Sequence, residues 1–283
     1  MPRSEPHALI FGEGFTGKRL RAALEADGWR VTGTSRTPSP GILAFDGSLP
    51  LPPATFAGVT HVIASIPPDA DGDPALRLHA DALAASASLE WVGYLSTTGV
   101  YGNHDGAWVD ETTPPAPTAD RSARRVKAEQ AWLSWAEHAG KPVQVFRLAG
   151  IYGPGRSALE RVQLPGAQSI LKAGHAMGRI HVDDIVRIVR AGMARPAAGP
   201  VFNCADDEPA PTADVLSYAA ALLDIPPPPI VPFETADLSP MARSFYADNR
   251  RVANGRIKRE LGVELAYPTY REGLRAIFDS ATP

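Results

Sequence analysis

Apolar and polar positions along the chain switch repeatedly between two periods. Ala8 to Phe11 is an unbroken apolar run, too short for a membrane span and of the right length for a buried strand. Past Gly17 the period changes: Leu20, Ala23 and Leu24 recur at helical spacing, and Gly28 follows as a stop signal. The exchange then repeats. Trp29 to Ser35, Ile42 to Phe45, Val59 to Ile66, Trp91 to Leu95 and Val143 to Leu148 read as strands, and Pro74 to Leu89 and Ser122 to His138 read as helices. Strands that alternate with helices need right-handed crossovers, which predicts an α/β fold: a Rossmann-type doubly wound parallel sheet with helices on both faces.

After Gly155 the alternation loosens. Arg179 to Val182 and Val201 to Cys204 read as strands, and Asp183 or Asp184 opens a helix striped by Ile185, Val186, Ile188 and Val189. Thr212 opens another helix to Leu223, and the last pieces, Asn254 to Leu261 and Tyr270 to Phe278, are separated by prolines. The expected division is a nucleotide-binding domain over residues 1–155, with 175–204 returning to its sheet. A small C-terminal α+β lobe over 156–174 and 205–283 would close a substrate cleft at the carboxyl edge of the strands.

The first strand runs into Gly12-x-Gly14-x-x-Gly17, which places the glycines on a strand-to-helix corner with Phe15 and Thr16 between them. Gly12 permits the tight turn, Gly14 leaves room for a pyrophosphate, and Gly17 brings the helix onto the strand, so the helix amides and positive dipole end face phosphate. The same residues nearly match the phosphate loop of nucleoside triphosphatases through Gly17-Lys18. There the next residue holds magnesium, and here it is Arg19, while the run from Val62 ends at Ser65 rather than at a magnesium-binding Asp. The dinucleotide corner is the better reading.

Ser35 and Arg36 stand where the second strand would meet the adenosine ribose, and no acidic residue does. A guanidinium there suits a 2′-phosphate, so NADP(H) is the preferred cofactor, with NAD(H) as the other candidate. Asp46, past the third strand, either accepts from the adenine amino group or begins the turn at Gly47. Ser65, Ile66 and Pro67 end the fourth strand at the ligand-binding edge.

The composition narrows the classes further. The chain has 283 residues, is 44% hydrophobic and carries a net charge of −3, which gives no basic field for nucleic acid or for a membrane surface. One cysteine, Cys204, excludes an intrachain disulfide. No secretory leader is evident, so the cytoplasm is the expected compartment. His181-x-Asp183-Asp184 is the nearest approach to a metal set, and helix capping accounts for both acids, so no metal is expected.

Together, the glycine corner, Ser96-Thr97-Thr98-Gly99-Val100-Tyr101-Gly102, Arg147-Leu-Ala-Gly-Ile-Tyr-Gly-Pro-Gly-Arg156 and Arg179-Ile-His-Val-Asp-Asp-Ile185 resemble the NAD(P)-dependent epimerase/dehydratase branch of the short-chain dehydrogenases/reductases. Tyr267-Pro-Thr-Tyr-Arg-Glu-Gly-Leu274 is similar to that branch's closing helix. Two departures mark an atypical member. Phe11 stands where extended members carry a first glycine, and the catalytic Tyr-x-x-x-Lys is absent, with Arg121 and Arg125 at its two positions.

The resemblance implies that Thr97 takes the place of the catalytic Ser/Thr, and that Thr98, Tyr101, Arg121, Arg125 and Tyr152 border the substrate. It implies an oxidoreductase or epimerase acting on a small polar, sugar-derived or phosphorylated molecule, with a homodimer as the common assembly. An arginine cannot exchange the proton that the missing Tyr would move. A second reading therefore stands beside the first: a non-catalytic NADP(H)-binding redox sensor with a protein partner.

Overall fold

The computed structural model describes residues 5–281. Seven parallel strands form the central sheet: β1 (His7–Phe11), β2 (Arg30–Ser35), β3 (Ile42–Ala44), β4 (His61–Ala64), β5 (Trp91–Thr97), β6 (Val143–Leu148) and β7 (Val201–Cys204). Their spatial order is β7-β6-β5-β4-β1-β2-β3, so the direction of winding reverses between β1 and β4. That reversal opens a crevice beyond the carboxyl ends of the strands, where open α/β sheets bind ligands. Of the five inner strands, β1, β4 and β6 are buried along their whole length, as expected of a sheet covered on both faces.

Helices α1 (Phe15–Ala26), α2 (Pro74–Ala85) and α3 (Asp120–Ala139) follow the strands; α4 (Ala158–Val162) comes after the glycine-rich turn, and α5 (Val182–Ala194) precedes β7. Asp73 caps α2 by accepting the Leu76 N–H at 3.0 Å. Gly140 ends α3 in the left-handed conformation, with φ +63°. One apolar cluster (Leu9, Phe11, Phe45, Val62, Leu83, Trp132) fills one side of the sheet, and a second (Ile10, Leu20, Ile63, Phe146, Ile185, Phe202) fills the other.

The lobe has its own core, formed by Tyr152 at the end of the strand 150–152 with Leu159, Leu216, Tyr270, Leu274 and Ile277 on α4, α6 (Thr212–Leu222) and α9 (Tyr270–Ala281). Between the last two lie α7 (Pro240–Phe245) and α8 (Gly255–Leu261). Short parallel pairs stitch the parts together: 150–152 with 179–181, 169–171 with 230–232, and 108–109 with 251–252. After α7 the chain leaves the lobe and returns to the sheet, where Ile257 and Leu261 of α8 join the main core. The proline-separated tail had suggested small lobe pieces only. The crossing carries Asp248 and Arg250 to the cleft.

Candidate functional site

The corner after β1 is built from backbone. Thr34 of β2 fixes it from the side: its hydroxyl accepts the Gly12 N–H at 3.0 Å and its carbonyl accepts the Glu13 N–H at 2.8 Å. Gly12 has φ +96°, a conformation costly for other residues. A β-carbon on Gly17 would fall 2.4 Å from the Gly12 carbonyl oxygen, so the helix start touches the strand end there. A β-carbon on Gly14 would meet nothing within 4 Å. The corner is therefore tight beneath Gly17 and open above Gly14, the shape a pyrophosphate needs, and the residues fit a dinucleotide.

Beside the corner, Glu13 pairs with Arg21 and Glu25 takes the same guanidinium at 2.8 Å. Glu13 and Arg21 fill the space a side chain on Gly33 would need. Arg36 is exposed at the end of β2 and has no side-chain partner among the described residues, so its guanidinium is available. The Ser35 hydroxyl accepts the Thr37 N–H at 3.2 Å. Asp46 closes a turn, with its Oδ1 accepting the Ser48 N–H at 2.9 Å and hydroxyl at 2.6 Å; these bonds hold its carboxyl below the usual range. Of the two sequence readings of Asp46, the turn is the one with geometry behind it. Ile66 packs beneath Gly12, with its Cγ1 3.0 Å from where a β-carbon would sit, and serves as support.

A cleft of about 470 Å³ opens at the carboxyl edge, bordered by Thr16, Ser65, Pro67, Thr97, Thr98, Arg121 and Arg125, which are residues the sequence singled out. The Thr97 hydroxyl accepts the Gly99 N–H at 3.1 Å, and nothing among the described residues accepts its own proton. Arg125 donates to the Leu95 carbonyl at 2.8 Å and to the Tyr94 hydroxyl at 3.1 Å, which fixes its guanidinium. Arg121 donates to the Ser244 hydroxyl at 3.1 Å and stacks on Phe245.

The two tyrosines expected at the substrate lie apart from this cleft's lining. Tyr101 is 0% exposed: its hydroxyl donates to Asn203 Oδ1 at 2.8 Å and accepts from Arg147 at 2.9 Å. Tyr152 is buried too and faces a neighbouring chamber rather than this cleft. Burial pushes both phenols above their ordinary pKa, the wrong direction for a group meant to give and take a proton. The ring of His181 lies between Tyr152 and Tyr267 and caps α5 by accepting the Asp183 N–H; burial lowers its pKa to about 4.

Sequence reasoning missed Arg124, Arg156, Asp248 and Arg250, all of which border the cleft. Arg156 was legible only as the last letter of a motif; its guanidinium lies 5.5 Å from the centroid of the Phe15 ring, beside the glycine corner. Arg250 donates to the Gly102 carbonyl at 2.7 Å and to Asp248 at 3.1 Å. No local signal marks either residue, because the chain brings them back from the lobe. Five arginines thus face one carboxylate, that of Asp248, among the described cleft residues. These residues contain no group of three or more metal-ligating side chains, and no helix is long and apolar enough to cross a membrane.

A doubly wound sheet, a glycine corner open to phosphate and a cleft at the carboxyl edge define a dinucleotide-binding α/β protein. Residues 54–205 match the NAD dependent epimerase/dehydratase family, and the chain belongs to it. It is 49% identical to a functionally unknown conserved protein from Silicibacter pomeroyi DSS, whose structure superposes with a TM-score of 0.89 over 98% of this chain and all of that one. Protein YeeZ of Escherichia coli K12 is 28% identical over 92% of this chain and 95% of its own length. A 3-diazoavenalumate denitrifying reductase from a Streptomyces species is 30% identical over 59% of this chain and 58% of its own.

Proposed function

We propose that the chain is an NADP(H)-preferring oxidoreductase acting on a small anionic substrate. The observation that carries this reading is the placing of Thr97 and five arginines around one cleft that begins at the glycine corner. When bound, the nicotinamide supplies a hydride. The chain's own residues hold the substrate and stabilise the charge that develops on its oxygen. Thr97 offers that oxygen an unspent O–H proton. Arg125 and Arg121 add fixed positive charge, which replaces proton transfer by a tyrosine with electrostatic stabilisation of an oxyanion. Protonation then falls to solvent entering the open cleft. The Streptomyces relative, a reductase by name, supports net reduction of a substrate over epimerisation. Arg36, unpartnered beyond Ser35, supports the phosphorylated cofactor.

The test is NADPH oxidation over a panel of anionic carbonyl compounds, with wild type and Thr97→Ala side by side. Turnover that falls about a hundredfold in the variant, the scale of one lost oxyanion donor, fits the reading; undiminished turnover removes Thr97 from it. The replacement of Tyr and Lys by arginines also favours a second reading, a non-catalytic NADP(H) sensor. Tight nucleotide binding, no turnover across the panel and a stoichiometric protein partner would establish that one.

A further inference from the structure

A second chamber of about 520 Å³ adjoins the arginine cleft, and the two share Gly150, Ile151, Arg156, Met177, Gly178 and Phe245. At their shared boundary the chain runs close on itself: the Gly150 N–H donates to the Gly178 carbonyl at 3.1 Å, and a β-carbon on Gly150 would lie 3.2 Å from that oxygen. Beyond that boundary the character of the wall changes. Leu164, Val215, Leu216, Leu238 and Leu274 line it, and Leu164 and Phe245 are 61% and 50% exposed.

Several polar side chains on this wall are engaged within the protein, while Arg156, Arg161 and the hydroxyls of Tyr246 and Tyr270 make no side-chain hydrogen bond among the described residues. Glu160 takes the Ser157 hydroxyl and the amides of Ser157 and Gly155. Arg179 donates to the Met177 and Ala210 carbonyls, and Tyr152 to the Thr269 carbonyl. The Thr212 hydroxyl meets the Met177 sulfur at 3.5 Å. Reading a sugar or a nucleobase needs free donors and acceptors, because a buried polar group left unmatched costs more than it returns. The rest of this wall is apolar surface, while guanidiniums without an acidic partner stand in the adjoining cleft, on Arg124, and at the shared boundary, on Arg156.

Resting on the oxidoreductase reading, we propose that the substrate is amphiphilic: an oxyanion head, carboxylate or phosphate, held in the arginine cleft, and an alkyl or aryl body threaded past Ile151 and Met177 into the second chamber. This replaces the sugar-derived substrate that the family resemblance implied.

The probes are straight-chain carboxylates from butyrate to decanoate and the matching alkyl phosphates, titrated by calorimetry into NADPH-saturated protein. NADPH binding is measured first and separately: its absence would sink the oxidoreductase reading, and the probe series would then be run on nucleotide-free protein. Affinity should rise about fourfold for each methylene that enters the chamber and then level off. Alcohols of equal length should bind at least about tenfold more weakly, having no charge for the guanidiniums. Ala242→Trp, which fills the chamber from α7, and Leu164→Glu, at an exposed wall position, should each flatten the dependence on length, with NADPH affinity reporting that the fold is intact. Affinity independent of length, or a slope that survives both substitutions, overturns the proposal.

Discussion

Arg147 on β6 holds both carboxylate oxygens of Glu129 on α3, with nitrogen–oxygen distances of 2.7 to 3.2 Å, and neither residue is more than 5% exposed. Ser96 of β5 adds its hydroxyl to the same carboxylate at 2.5 Å. Three elements that carry the cleft are thus joined by one buried charge pair. Removing a single partner leaves the other charge buried and unpaired, so Glu129→Ala should cost about 3–5 kcal/mol. The double variant Glu129→Leu/Arg147→Met should cost much less. Urea denaturation of the two proteins checks this; equal losses would mean the pair is not the cause.

The corner predicts two different outcomes from one kind of substitution. Gly17→Ala forces a methyl group to within 2.4 Å of the Gly12 carbonyl oxygen and should lower the melting temperature sharply. Gly14→Ala meets no atom within 4 Å and should leave the melting temperature nearly unchanged while weakening nucleotide binding at least about tenfold, because the methyl occupies the phosphate's space. Thermal melts with and without nucleotide separate the two effects.

Arg36 is the test of cofactor choice. Arg36→Ala should weaken NADPH binding by about ten- to a hundredfold, the scale of a charge-assisted hydrogen bond, and leave NADH binding unchanged. Fluorescence titration of both nucleotides decides it. Equal losses for the two would remove the 2′-phosphate from the argument.

Asp206 and His181 pull stability in opposite directions with pH. Asp206 is 2% exposed, neither of its oxygens has a hydrogen-bond partner among the described residues, and burial raises its pKa to about 8 against the pull of Arg179. The folded state therefore holds a proton that the unfolded state releases near 4. Its contribution is complete below that pH and fades as pH rises towards 8, by up to about 1.4 kcal/mol per pH unit. His181, lowered by burial to about 4, contributes stability above its unfolded value of 6.5 and loses it as pH falls to 4. Asp206→Asn should abolish the alkaline loss and leave the acid loss in place, as read by urea denaturation between pH 4 and 9. A wild-type profile flat from pH 5 to 8 would contradict the assignment.

Much of the nucleotide half was legible because its causes are local. A run such as Ala8–Phe11 must be buried, Gly12-x-Gly14-x-x-Gly17 requires a strand before it and a helix after it, and Ser35 with Arg36 puts no acidic residue at the expected ribose position. Even here, contacts across the sheet stayed hidden, among them Thr34 bracing the corner and Glu13 with Arg21 filling the gap over Gly33.

The sequence by itself determined the alternation of strand and helix, the glycine corner and the absence of a Tyr-x-x-x-Lys pair, since each depends on residues within a few positions of one another. Only the tertiary structure decided what lines the cleft. Tyr101 sits three positions past Thr98, yet a partner 102 residues away, Asn203, draws its hydroxyl into the core. Arg250 reaches the cleft because the strand at 251–252 pairs with the one at 108–109. Such placements come from long-range packing and buried hydrogen bonding, whose free energy depends on which distant surfaces meet, and no pattern within one segment encodes that.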